Sequence, residues 1–239
     1  LSEQDAQIAK QIEDLSDQLT GISRIGKELF LPHKLGKQGM TEDRYLQMIL
    51  AAASALSKYT LLDCLRSSRA AAFEHVHGTA AALKNLVSEK LTLKKDTGNT
   101  VNSLREKSGQ IPHWKFKHLN REDWEKWLWD EQAHREIYER EVDLFEQIAA
   151  LVLKLSPERE ESKVRHLIKL SEKKGQVIGF DSHVISLEIF KQMIEKTGLA
   201  CESFTGAHGA QGKARAVDEM GKNSVSPSIS PRIRACRCG

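Results

Sequence analysis

Apolar residues open the chain at Ile8, Ile12, Leu15, Leu19, Ile22 and Leu29, stepping by four and three except where Gly26 occupies a seam position. Polar residues fill most positions between them, the pattern of a heptad seam. Ser2 followed by Asp5 resembles a capping box at its start. One helix over about 3–30 is predicted, weakest at Gly21. Pro32, Gly36 and Gly39 then mark a connection.

Thr41 is a good N-cap, with Glu42 and Asp43 in the turn where the helix dipole favours acids. Leu46, Ile49, Ala53 and Leu56 begin a second seam. Leu62, Leu65, Phe73, Val76, Ala80, Leu83, Val87 and Leu91 continue it. Alanine triplets at 51–53, 70–72 and 80–82 favour helix and allow close helix approach. A helix over about 42–95 is expected, with Ser67-Ser68 and Gly78 as its places to break.

Gly98, Asn99, Gly109 and Pro112 make 96–120 a connection holding one short helix near Val101–Lys107. Asn120 caps a helix expected over 121–155, with Trp124, Trp127, Leu128, Tyr138, Phe145, Ile148 and Val152 on its apolar side. Ser156-Pro157 restarts a helix over 157–174 that Gly175 ends. Asp181 caps a last amphipathic helix over 182–197. A lone strand fits only within Lys174–Phe180. The fold class that follows is all-α: long antiparallel helices with heptad-like seams, a bundle or coiled coil, forming an elongated body over 1–198.

Composition changes this picture at the C-terminus. The 239 residues have a net charge of +3, and six basic against three acidic side chains place all of it in 199–239. That segment is rich in Gly and Ser and poor in large apolar residues, so a disordered basic tail is predicted. Its Ser226-Pro227 and Ser230-Pro231 pairs are candidate phosphate acceptors. The composition excludes a collagen, a disulfide-dense mini-protein and a wholly disordered chain. Leu1-Ser2-Glu3-Gln4-Asp5 has no signal-peptide character, and no apolar run is expected to span a bilayer. Cys64 is the body's single cysteine, against Cys201, Cys236 and Cys238 in the tail. No disulfide framework emerges, so an intracellular, cytoplasmic setting is expected.

Two Glu-x-x-His pairs, Glu74/His77 and Glu131/His134, have the spacing of carboxylate-bridged metal sites and are similar in outline to the ferritin-like pattern. The intervening helix such a site needs is missing. Arg69 and His75 stand six apart, as in some helical RNases. Cys236-Arg237-Cys238 lacks zinc-module spacing. No phosphate-binding loop, serine elbow or H-E-x-x-H motif occurs, and no cofactor is expected.

Charge patterning gives a stronger signal. Residues 82–117 carry Lys84, Lys90, Lys94, Lys95, Arg105, Lys107, Lys115 and Lys117 against three acids, a net of +5, whereas 121–146 carry a net of −6. The two stretches either neutralise each other or leave a basic tip, bearing Trp114 and Phe116, for an anionic partner. Were 121–155 one helix, Trp127 and Trp129 would lie about 160° apart, so Trp124, Trp127 and Trp129 could not all face one seam. At least one is expected to point outward as a protein-binding anchor.

The leading expectation is a non-enzymatic helical scaffold or adaptor subunit that joins other protein chains through its helical seams, as a homo- or hetero-oligomer. The alternatives are a membrane-surface module, similar in architecture to BAR-type bundles and tipped by 84–117, and a carboxylate/histidine metal enzyme. A neutral body argues against nucleic acid as a partner.

Overall fold

The computed structural model describes residues 2–87, 91, 93, 97–204 and 232–237, with the backbone alone for Gln176, Phe204 and 232–237. These residues are mostly helical. In chain order they form α1 (Glu3–Ser16), a 3-10 turn (Ile22–Arg24), β1 (Glu28–Leu29), α2 (His33–Lys37), α3 (Glu42–Ser67), α4 (Arg69–His77), α5 (Thr79–Leu86) and α6 (Thr100–Lys107). There follow β2 (His113–Trp114), two 3-10 turns (Arg121–Asp123 and Lys126–Leu128), α7 (Glu131–Lys154), α8 (Glu158–Lys174), β3 (Gln176–Asp181), α9 (Val184–Glu195), β4 (Ala200–Phe204) and β5 (Arg232–Arg237).

Three of the expected long helices are shorter, each for an identifiable reason. The first ends at Ser16, not near residue 30. Beyond it Gly21 is left-handed at φ 70°, and the Glu141 carboxylate of α7 takes the backbone N–H groups of Thr20 at 2.9 Å and Gly21 at 3.0 Å. The second is cut twice within 42–95. Ser68 is extended (φ −160°, ψ 164°) and its hydroxyl accepts from the Ala71 N–H to cap α4, while Gly78 at φ 87° ends it. The third begins at Glu131 instead of 121, because Trp124 and Trp129 leave helical geometry and Asp130 supplies the cap.

The main core gathers Ile8 and Ile12 of α1, Leu61 and Leu65 of α3, Phe73 and Val76 of α4, Leu104 of α6, Phe145, Ile148 and Val152 of α7, and Ile185 of α9. Fully burying such side chains is worth about 1.5–3 kcal/mol each. Polar groups tie helix ends together around this core. Asp5 accepts from the Ser156 backbone N–H (2.9 Å) and hydroxyl, and these bonds hold its carboxyl below the usual range. Glu160 caps α4 by accepting from the Arg69 N–H at 2.7 Å, and Lys163 donates to the carbonyls of Arg66 and Ser67 at the end of α3. A carboxylate at a helix start and an ammonium at a helix end both complement the helix dipole.

The C-terminal part departs from an all-helical chain. β3, β5 and β4 form a parallel sheet in that order, with Gln176 opposite Arg232 and Ala200 opposite Arg232 on the other side. The two ends of the expected 199–239 tail are therefore strands. Residues 205–231, with both Ser-Pro pairs, lie outside the described residues, as does Cys238. Val164 of α8, Phe190 and Ile194 of α9, and Cys201 of β4 form a second small core. The opposite face of β3 leaves Ile178 and Phe180 exposed, as strand alternation requires.

His75 of α4 gives a pH test of this packing. Its ring meets Phe145 edge-on, 6.0 Å between centroids, and burial, helped by the charges of Arg24 and His183, pushes its pKa down to about 4. An unfolded histidine titrates near 6.5, so below that pH the unfolded chain takes a proton the fold refuses. The contribution is full above pH 6.5 and disappears as pH falls toward 4. At about 1.4 kcal/mol per pH unit it reaches roughly 3 kcal/mol. Urea midpoints from pH 7 to 4.5 are expected to fall more steeply for the wild type than for His75→Gln; equal slopes would refute this account.

Candidate protein-interaction site

α3 has an unusual outward face. A surface helix normally turns charged and polar residues to solvent. Between Met48 and Tyr59 this helix exposes Met48, Ala51, Ala52, Ala55, Leu56 and Tyr59, with Lys58, its side chain 32% exposed, at the edge of the stripe. At 100° and 1.5 Å per residue these six span an arc of about 140° and a length of about 16 Å. Leu56 and Tyr59 are 51% and 59% exposed.

The inner face of the same helix explains its position. Leu46, Ala53, Ser57, Leu61, Cys64 and Leu65 are buried. Arg24 donates to the hydroxyls of Ser57 at 3.0 Å and Thr60 at 2.8 Å, and Ser54 donates to the Leu19 carbonyl at 2.7 Å. By length and composition α3 alone among the described helices could cross a membrane, contrary to the expectation that no such segment exists. Its inner-face contacts nonetheless fix it against the rest of the chain.

The tryptophans sit elsewhere and are turned inward. Trp114, Trp124, Trp127 and Trp129 pack on a cluster of Leu29, Leu46, Phe116 and Leu128. The indole N–H groups of Trp114 and Trp129 reach the carbonyls of Leu119 and Trp124, each at 3.4 Å, and Arg121 lies 5.6 Å from the Trp129 ring. The expectation of an outward anchor rested on helical geometry; two 3-10 turns replace the helix, and all three tryptophans become half-buried. Phe116 is buried in the same cluster.

The described basic residues of the expected tip sit on α5, on α6 and in the segment around β2. Lys84 is exposed on α5, Arg105 of α6 meets Glu146 at 3.1 Å, Lys107 and Lys117 are exposed, and Lys115 meets Glu28 at 2.6 Å. Lys90, Lys94 and Lys95 lie outside the described residues. Of the expected neutralisation between 82–117 and 121–146, Arg105–Glu146 is realised, and such exposed pairs contribute about 0–1 kcal/mol.

The two Glu-x-x-His pairs do not converge. Glu74 accepts from the Thr79 hydroxyl at 2.6 Å, and His77 meets Glu146 at 3.2 Å. Glu131 pairs with Arg135, and His134 is buried with Nδ1 2.8 Å from the Trp127 carbonyl. His77 thus meets α7 three turns, about 18 Å, beyond His134. Among the described residues no group of three or more His, Cys, Asp or Glu side chains is placed to hold a metal ion. Arg69 and His75 also part: Arg69 donates to the Leu155 carbonyl at 2.6 Å, while His75 faces Phe145 and Thr100.

The α3 face was open to sequence reasoning and missed. From Tyr45 to Ser57 the chain has no charged residue, so this stretch of the helix is uncharged on every side. Attention to the seam through Leu46 and Ala53 hid the second, outward stripe. Comparison with protein-family models, with curated proteins and with solved structures finds no match to this chain.

Proposed function

We propose that the chain is a helical scaffold subunit that assembles through the outward face of α3. The observation that carries this reading is the uncharged, exposed stripe from Met48 to Tyr59 on a helix whose other side is already buried. A solvated apolar surface of this kind costs free energy until something covers it. Three alanines at its centre, 51, 52 and 55, favour another helix as the cover, because small side chains let helix axes approach closely.

The occupant we infer is a second copy of the chain, running antiparallel. The stripe is nearly palindromic about a point between Ala53 and Ser54. In that arrangement Ala52 of one copy meets Ala55 of the other, Ala51 meets Leu56, and Met48 meets Tyr59. One turn further out, the exposed Arg44 meets Asp63, giving opposite charges at both ends of the pairing. A twofold contact of this kind is self-complementary, as a closed dimer requires. An anionic membrane surface would call for a basic rim, and Lys58 beside the stripe is already paired with Asp17.

Sedimentation velocity on the full chain tests the proposal. A dimer is expected, with Ala52→Glu giving a monomer of unchanged helical circular dichroism. Mixing Ala52→Cys with Ala55→Cys chains is expected to give an oxidised cross-link absent from either variant alone. A wild-type monomer at about 100 μM, a concentration at which even a weak specific dimer forms, would reject self-assembly. A monomer that binds vesicles of mixed neutral and anionic lipid would replace it with the membrane reading.

A further inference from the structure

A second cluster, unrelated to the outward stripe, lies where α3 ends against the start of α9. Cys64 Sγ is 3.2 Å from His183 Nε2. On the other side of the ring, His183 Nδ1 is 3.4 Å from Asp181 Oδ1 and 3.0 Å from the Ser182 hydroxyl. Asp181 is held in turn by the Ser67 hydroxyl at 2.7 Å and by the His183 backbone N–H at 2.8 Å. β3 ends at Asp181 and α9 begins at Val184, so strand end and helix cap fix the aspartate and the histidine together. The arrangement is a nucleophile, a proton-carrying imidazole and a carboxylate that orients it.

The hydrogen-bond partners of the ring favour its protonated form. Hydrogen bonds from His183 to Asp181 and to Cys64 push its pKa up to about 10, so it is an imidazolium at neutral pH. His75 of α4, neutral and itself within reach of the Arg24 charge, interacts with the ring from the helical side, and Lys163 of α8 lies on the Asp181 side. Charge that develops on the sulfur therefore meets a cation in hydrogen-bonding contact, the setting of reactive cysteines. Cys201 has the opposite environment: burial, with Glu195 nearby, pushes its thiol up to about 11.

We propose that Cys64 is a peroxide-reactive thiol, with His183 as its proton donor and Asp181 as a positioning residue. The site is narrow: Cys64 is 4% exposed and the His183 side chain 18%. That selects a small uncharged oxidant, hydrogen peroxide, over an acyl or peptide substrate. The Cys64 thiol gives its proton to solvent, and the thiolate so formed attacks one peroxide oxygen, so an S–O bond forms as the O–O bond breaks. Sulfur is oxidised to the sulfenic acid and the peroxide is reduced. The departing hydroxide takes the Nε2 proton of His183 and leaves as water, with the ring neutral.

Timed exposure of the full chain to hydrogen peroxide with dimedone, read by peptide mass spectrometry, tests this. Cys64 is expected to be trapped at least about tenfold faster than Cys201 in the same molecules at pH 7. His183→Gln is expected to slow Cys64 by about tenfold or more and to change the pH profile of its rate, with Asp181→Asn between the two. The comparison of two cysteines within the wild type needs no variant to fold. Equal rates at Cys64 and Cys201, or a folded His183→Gln chain with an unchanged rate and profile, overturns the proposal.

Discussion

Gly21→Ala is expected to destabilise the protein by roughly 2–5 kcal/mol, the sum of left-handed backbone strain and overpacking. For a chain of this size that lowers Tm by roughly 5–15 °C. Gly21 has φ 70°, and a Cβ there would lie 2.2 Å from the Ala53 carbonyl oxygen and 2.4 Å from its carbon. Both are backbone atoms of α3, so no side chain can swing away. The chain must lift off the helix, which also pulls the Gly21 N–H from Glu141. Gly39→Ala is the control: φ is 85°, but a Cβ there meets nothing within 4 Å. It should show the strain alone, about 1 kcal/mol. Urea denaturation of the two variants separates clash from strain, and equal losses would refute the close approach.

The legible parts of the fold are those set by local chemistry. Pro157 and Gly175 bracket α8, Thr41 caps α3, and Ser68 and Gly78 break the second helical stretch where the sequence allowed. The end of α1 was hidden because its seam continues through Leu19 and Ile22. What stops the helix is a carboxylate about 120 residues away in sequence, which offers Thr20 and Gly21 better partners than a further helical turn. β4 and β5 were hidden for a related reason. Parallel strands find partners across long connections and carry no turn signal, and a Gly-rich stretch separates these two.

The candidate sites divide in the same way. The uncharged run from Tyr45 to Ser57 can be read directly, because a helical stretch with no charge on any side has more apolar surface to cover than one neighbour can reach. Cys64 and His183 are 119 residues apart and belong to no spacing motif. Only Asp181-x-His183 at a strand-to-helix turn is local. The tryptophans do not follow helical spacing, because 100° per residue does not hold across two 3-10 turns and an extended Trp124.

Glu141→Ala is expected to cost roughly 3–5 kcal/mol, since it leaves two backbone donors without an acceptor and opens a cavity in α7. Glu141 is 1% exposed. One carboxylate oxygen accepts from the Thr20 N–H and hydroxyl, the other from the Gly21 N–H. Glu141→Gln keeps the shape but turns an NH₂ toward one of those donors, so it should lose less than alanine and more than an isosteric change would suggest. Burial raises the Glu141 carboxyl above its ordinary value, against the pull of those hydrogen bonds. The fold therefore binds this proton more readily than the unfolded chain does. That contribution is full below the unfolded value and is lost as pH rises through the folded one, so the margin of wild type over Glu141→Gln should narrow across that window. Because Glu141 and Gly21 share one contact, their losses should fall short of additive in the double variant. Additive losses, or an Ala variant within about 0.5 kcal/mol of wild type, the range of an ordinary surface substitution, would show that another contact holds the end of α1.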